Sequence, residues 1–339
     1  MKTIKHLALL VALCLISSCQ KVVEFDIDNL ENHVVLNGVP SVDSTMFVNV
    51  SYSRFFLDNS QYLPATGAQI TLWVNGTPMS SNRYEKGNYF FPYTVTEGDS
   101  LRVEVLLDGR QPVSAATRVP HKPLVDSVMA VLDTNQIIPT MAIHCRLHDP
   151  IGTNYYRFFV IERDSGERFN TWTQEIEHID TLGTTYFSCT DPNLIDAEAS
   201  ATEALLGTFF GELMCKDVHF DGQDYDIDLG LISFRDTAEH EGFTRWYWLC
   251  IESLSVDYFN YRTSVSKANG MSSYFAEPEK LYTNVQNGLG ILGGKARIKI
   301  PLTVTYATPQ DETKHKHSQI DKSAAARLKA CPPPQTDIR

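Results

Sequence analysis

Apolar residues follow two different rhythms along this chain. From Leu7 to Ile16 they form an almost unbroken run. From His33 onward they alternate with polar residues in short stretches. Phe47–Tyr52, Ala68–Val74 and Leu101–Leu106 alternate, and Val34–Leu36 and Tyr89–Phe91 are short apolar runs between turns. A period of two puts successive side chains on opposite faces of a strand. Asn37-Gly38, Asn75-Gly76 and Asp108-Gly109 follow such stretches and read as turns. Short strands with turns at this spacing predict an Ig-like or prealbumin-like β-sandwich over 33–122, a size of about 90 residues. No long amphipathic helix is written between 33 and 119.

Pro120 and Pro123 mark a boundary, and a second β-rich region is predicted over 123–307. Met141–Leu147 and Tyr155–Glu162 read as strands joined by the turn Asp149–Gly152. Trp246–Ser253 is a strongly apolar strand. Arg297–Tyr306 alternates as a closing strand, with Pro301 pointing to a sheet edge. One helix is predicted from Val256 to Ala268, with Ser255 as N-cap and Asp257 suiting the helix dipole. Tyr258, Tyr261, Arg262 and Val265 would share its face. Asp196–Leu206 is a second, shorter helical candidate. The expected fold is thus mainly β: two consecutive antiparallel β-sandwich domains, the second with one or two short helices. Residues 308–339 lack any apolar period and are predicted to be disordered.

The first apolar run changes the picture more than any strand. Lys2 and Lys5 precede it, and Ser17, Ser18 and Cys19 close it. That is the charged, apolar and small-residue order of a secretory signal. The run is shorter than the roughly 20 residues that span a bilayer. Ile16-Ser17-Ser18-Cys19 fits a bacterial lipobox, which makes residues 1–18 a signal peptide, Cys19 the lipidated mature terminus and 19–32 a tether. Several acyl chains hold a protein at a membrane where one is marginal. Gln20, rather than Asp, after the cysteine favours the outer membrane under the familiar Gram-negative sorting rule, and Gln20-Lys21 resembles the start of a lipoprotein surface-export signal, which implies a surface-facing location.

The formal charge is −12, and loss of Lys2 and Lys5 with the signal takes it to −14. Such a chain repels phosphate backbones, which argues against nucleic acid as a partner. Membrane attachment is expected through the lipid alone. Of seven cysteines, Cys14 and Cys19 belong to the leader and anchor. Cys189 and Cys215 lie in polar, loop-like surroundings and form the candidate disulfide. Cys145 and Cys250 sit in strand-like runs and read as buried thiols.

Candidate chemistry is sparse. Gly288, Gly290 and Gly293 match a G-x-G-x-x-G string, but a strand follows it where a nucleotide fold needs a helix, so a tight glycine packing turn is expected. Asp221, Asp224, Asp226 and Asp228 invite a calcium reading, yet Gly230 comes one position late for an EF-hand and Arg235 replaces its bidentate Glu. The alternative puts Tyr225, Ile227 and Leu229 inward and Asp224, Asp226 and Asp228 towards water. Phe55, Phe56 and Tyr62 interrupt a polar stretch and are candidate ligand or partner contacts; a loop folded back on its own sandwich is the other reading. No zinc spacing and no nucleophile elbow occur. The expectation is a protein that is not an enzyme and has no cofactor beyond a candidate Ca²⁺. Carboxylate pairs for glycoside hydrolysis are set in three dimensions and leave no linear mark.

Several segments together resemble a known family. They are Val34–Gly38, Val48–Arg54, Leu57–Ser60, Gly67–Trp73, Asp217–Gly222 with Tyr225, and above all Asn284–Gly293. The chain resembles the Bacteroidota outer-membrane lipoproteins described as domain of unknown function 4249. The resemblance runs from about Val34 to Ile300. It implies a partner, a SusC-like TonB-dependent outer-membrane receptor, and an accessory role in nutrient uptake with an unknown small ligand. It implies no catalytic residue. A surface hydrolase of glycans or peptides, and an adhesive or structural envelope module, are the competing expectations.

Overall fold

The computed structural model describes residues 32–54, 63–133, 140–170, 172–195, 204–205, 209–232, 243–269 and 280–306. Among them the chain is mainly β. The first sandwich is built from β1 (Val34–Gly38), β2 (Thr45–Tyr52), β3 (Gln69–Val74), β4 (Thr77–Ser80), β5 (Arg83–Glu85), β6 (Asn88–Thr94), β7 (Ser100–Leu106) and β8 (Val113–Arg118). Alternation dictates the layers: Ile70, Leu72 and Val74 of β3 and Leu101, Val103 and Val105 of β7 point into one core with Leu36, Val48 and Val50. The Asn75-Gly76 turn joins β3 to β4 with both residues in the left-handed region, at φ 52° and 86°. That is the twist a two-residue hairpin requires.

The second sandwich contains β9 (Leu124–Asp133), β10 (Thr140–His148), β11 (Tyr155–Asn170), β12 (Glu175–Thr185), β13 (Phe187–Ser188), β14 (Ala204–Leu205), β15 (Phe209–Phe210), β16 (Leu213–Lys216), β17 (Asp224–Ile232) and β18 (Phe243–Leu254). After β18 come the helix Val256–Asn269, then β19 (Leu289–Leu292), β20 (Lys295–Pro301) and β21 (Val304–Tyr306). One sheet has the order β14-β15-β13-β17-β10-β9-β21. The facing sheet has the order β12-β11-β18-β20, with β16 also on β11. Ile143, Cys145 and Leu147 of β10 meet Tyr156, Phe158 and Val160 of β11 in the shared core.

The cut expected after residue 122 needs amending. β19 leaves the second region and runs parallel beside β1, pairing Leu36 with Gly290 and Gly38 with Leu292. The first sheet is therefore β19-β1-β2-β6-β5, opposed by β4-β3-β7-β8. Val285 and Leu292 join its core. The glycine string makes this possible. Gly290 lies at φ 106°, and a Cβ there would overlap the Leu36 carbonyl oxygen. At Gly293 a Cβ would lie 2.6 Å from Cβ of Tyr258 on the helix. The expected packing turn is thus a close approach of one domain's backbone to the other's. Asn37-Gly38 is not a turn. Pairing with both β2 and β19 holds it in mid-sheet and overrides its local preference.

The helix ends one residue beyond its expected limit. The Ser255 hydroxyl accepts from the Tyr258 amide at 3.3 Å, as an N-cap should. Its buried residues are Tyr258, Phe259 and Ser266. Tyr258 and Phe259 pack with Leu254, Met214 and Val39, a small cluster that ties the helix to both sandwiches. The expected closing strand divides at Leu302: β20 is an edge of one sheet, with Pro301 at its end, and β21 crosses to pair parallel with β9. Of the second helical candidate, 196–203 and Leu206 lie outside the described residues, and Ala204–Leu205 is strand.

Candidate functional site

Two loops at one end of the second sandwich bring three carboxylates together. Asp149 ends β10. Asp217 and Asp221 lie between β16 and β17. Their oxygens come within 4.8 Å of one another, close enough to share one cation. Asp149 is 1% exposed and Asp217 2%, while Asp221 faces water. The Tyr156 hydroxyl donates to Asp149 Oδ1 at 2.6 Å and the Gly222 amide to Oδ2 at 2.9 Å. The Asn154 amide and side chain donate to Asp217 Oδ2 at 2.7 and 3.1 Å. The Gly152 amide donates to Asp221 Oδ1 at 2.8 Å. Burial pushes the Asp149 and Asp217 carboxyls above the usual range, and the Asp221 charge adds to the push. The group can hold a divalent cation, and its own hydrogen bonds already tie the two loops together.

This geometry corrects the calcium expectation for Asp221, Asp224, Asp226 and Asp228. Only Asp221 joins the carboxylate group. Asp224, Asp226 and Asp228 alternate on β17 opposite His148, Arg146 and His144 of β10. The rungs are His144–Asp228 at 2.6 Å, Arg146–Asp226 at 3.7 Å and His148–Asp224 at 2.6 Å. Strand alternation sends Ile227 and Leu229 into the core and these aspartates to an exposed ladder. Sequence reading missed Asp149 and Asp217, because the cluster forms between loops far apart in the chain. The available signal was the pair of loop motifs, Asp149–Gly152 and Asp217–Gly222.

The expected disulfide is corrected as well. Cys189 and Cys215 are both buried and not joined by a disulfide, and Cys145 and Cys250 are buried thiols as expected. Cys215 lies on β16 opposite Tyr156 of β11, and both it and Cys189 belong to the second core. Their polar neighbours in sequence point away from the packing that encloses them. Burial raises the Cys189 thiol, and it pushes Cys145 up to about 12 and Cys250 to about 11. These are inert packing groups at neutral pH.

A second charged site lies where the helix, β18 and β20 meet, on the face of the sheet opposite the core. Glu252 is 0% exposed. It accepts from Arg157 Nη1 at 2.9 Å and Arg297 Nε at 2.7 Å, and it pairs with Lys295 at 3.2 Å. Arg157 also donates through Nε to Glu212 at 2.6 Å, and Glu212 pairs with Arg262 of the helix. Burial alone would raise the Glu252 carboxyl, but Lys295, Arg157 and Arg297 together lower it to about 2. Arg157 and Arg297 both lie over the Phe159 ring.

Large apolar groups stand exposed on the hairpin of β11 and β12. Trp172 at its tip is 95% exposed and Ile176 68%. The turn is ordered around Asn170, whose Oδ1 accepts from the Trp172 and Thr173 amides at 2.9 and 3.3 Å. These bonds hold the Trp172 and Thr173 backbone, and the tryptophan side chain projects into water, open to a contact. Phe55, Phe56 and Tyr62, the aromatic contacts expected from sequence, lie outside the described residues. So does Cys19.

No curated protein matches the chain. Among solved structures, one similar chain is the Enterococcus faecalis MSCRAMM ACE, which binds its ligands by the collagen Hug model. The identity is 9% and the TM-score 0.18, with 84% of this chain and 100% of that chain covered. A TM-score so low carries no argument about fold or function. The family comparison is decisive by contrast. The model of the domain of unknown function DUF4249 matches residues 20–299, which hold the strands of the first sandwich, the helix, the β19 return and both charged sites. The chain belongs to the DUF4249 family.

Proposed function

We propose that this chain is an outer-membrane lipoprotein, anchored through Cys19, that serves as a non-enzymatic accessory subunit of a TonB-dependent nutrient importer. The observation that carries the reading is the lipobox-like sequence Ile16–Cys19 behind a charged and apolar leader. Family membership supports it through the SusC-like receptor partner that the resemblance implies. The exposed Trp172 supports it too, because an aromatic side chain open to water suits a protein that docks. The subunit would bind a small ligand, cap the barrel, or do both.

The test has two arms on the tagged full chain. Labelled palmitate is expected to enter the wild type and not Cys19→Ala, which should leave the membrane fraction. Mild-detergent pulldown is expected to recover a β-barrel receptor, with at least a severalfold smaller yield from Trp172→Ala. Equal labelling of both chains, or no barrel at any detergent level, sinks the reading.

One observation favours a second reading, a surface hydrolase. Asp149 and Asp217 are convergent carboxylates held above their usual range, as an acid–base pair would be. It ranks second because protein donors occupy both groups and only Asp221 reaches the surface. Glycan or peptide hydrolysis lost in Asp149→Asn and Asp217→Asn would promote it.

A further inference from the structure

We propose that the seam around Glu252 is a binding site for a multivalent oxyanion, a ligand bearing carboxylate, phosphate or sulfate groups. This goes beyond the accessory role and holds whether or not a barrel partner exists. Arg157, Arg262, Lys295, Arg297 and Lys299 gather on one face of the sheet, and the described carboxylates that touch them are Glu212 and Glu252. Five cations stand against two anions in a protein whose formal charge is −12. A local surplus of positive charge against an acidic background is a directed field.

The internal acids are already shared. Glu252 is fully buried beneath three cations, and Arg157 is spent bridging Glu252 to Glu212. Arg297 uses Nε and Nη2 on Glu252, which leaves Nη1 for an outside acceptor. Lys299 lies with its ammonium 4.2 Å from the Trp248 ring centre, and among the described residues no carboxylate pairs with it. Lys295, Arg297 and Lys299 alternate on β20, so they face the same way at steps of roughly 6–7 Å. A ligand with two or more negative charges is drawn by neighbouring cations together, whereas a monoanion engages one cation at a time. Arg is the residue that grips a carboxylate or phosphate by two parallel donors.

The position fits a ligand site. Lys295 donates its amide to the Pro40 carbonyl and accepts from the Val42 amide, so the cationic strand starts against the first sandwich. Junctions between domains are preferred places for small-molecule sites. A competing role exists, since basic side chains on an edge strand such as β20 also discourage unwanted pairing. That role predicts no preference among anions.

The experiment is thermal unfolding of the full chain with citrate, inorganic sulfate or inorganic phosphate, against chloride and acetate at the same ionic strength. The multivalent anions are expected to raise the midpoint by about 3 °C or more at millimolar concentration, and the monovalent ones not. Lys299→Glu leaves every bond to Glu252 in place and should weaken the apparent affinity at least tenfold. Arg297→Gln should weaken it too, while Arg102→Gln, in the first sandwich, should behave as wild type. Equal shifts in all four proteins, or no shift with any multivalent anion, overturn the site. The arm giving the largest shift shows whether a carboxylate, sulfate or phosphate ligand is preferred.

Discussion

Asp149 and Glu252 are both carboxylates taken out of water in the second sandwich, and they end with opposite affinities for a proton. Asp149 has neutral donors, a tyrosine hydroxyl and one amide, and anionic neighbours in Asp217 and Asp221. Its carboxyl is held above the usual range. Glu252 is buried as deeply but has three cations in contact, and its carboxyl falls to about 2. Burial is the same unfavourable force in both places; the charge supplied by neighbouring strands decides the outcome. Neutral hydrogen bonds suffice to hold a loop knot together. A charge at the centre of a sheet face requires counter-charges.

Removing the counter-charge on one side should expose that difference most clearly. Glu252→Gln keeps the volume but leaves Arg157, Lys295 and Arg297 crowded without their shared anion. Breaking a buried ion network in this manner costs about 3–5 kcal/mol. In calorimetry that corresponds to a midpoint lower by on the order of 10 °C. A loss no larger than that of a surface substitution would mean the three cations are held by something other than Glu252.

How far these two sites could be read from sequence follows from where their partners come from. Period-two alternation was enough to place β3, β7 and β10, because each strand carries its own record of which face is buried. Glu252 stands in an otherwise apolar strand, and Arg157 interrupts another. Each is a sign of a buried partner, but sequence does not say that β11, β18 and β20 lie side by side. Cys189 and Cys215 show the same limit: local polarity suggested exposed loops, and tertiary packing enclosed them. Asn284–Gly293 was legible as a close-packed glycine string, but its target, β1 some 250 residues earlier in the chain, was not. What sequence records is facing. What it does not record is adjacency between distant strands.

Acid titration should separate the two carboxylate types by sign. A carboxyl lowered in the folded state contributes stability that is present above its ordinary value and fades as pH falls towards the folded one. For Glu252 that window runs from 4.5 down to about 2. Asp149 and Asp217 are raised from 3.8, so their contribution is largest in acid and fades as pH rises through their folded values. Between about pH 5 and pH 3 the Glu252 contribution shrinks while those of Asp149 and Asp217 grow, so the wild-type midpoint should lose ground relative to that of Glu252→Gln as pH falls. Parallel slopes in the two proteins would show that Glu252 is not clamped by its neighbours.

The smallest expected effect tests the acidic side of the comparison from within. Asp221 is the exposed member of the knot, and its charge raises both Asp149 and Asp217. Asp221→Asn retains an oxygen to accept from the Gly152 amide and removes only the repulsion. If the knot is a set of neutral hydrogen bonds burdened by like charges, stability should rise by about 0.5 kcal/mol or less at neutral pH, within the range of surface substitutions. The rise should vanish in acid, where the carboxyls are protonated in either protein. A clear loss of stability in Asp221→Asn would show the opposite: the third negative charge does work in the folded protein, and the knot, like the seam around Glu252, depends on an ion of opposite sign.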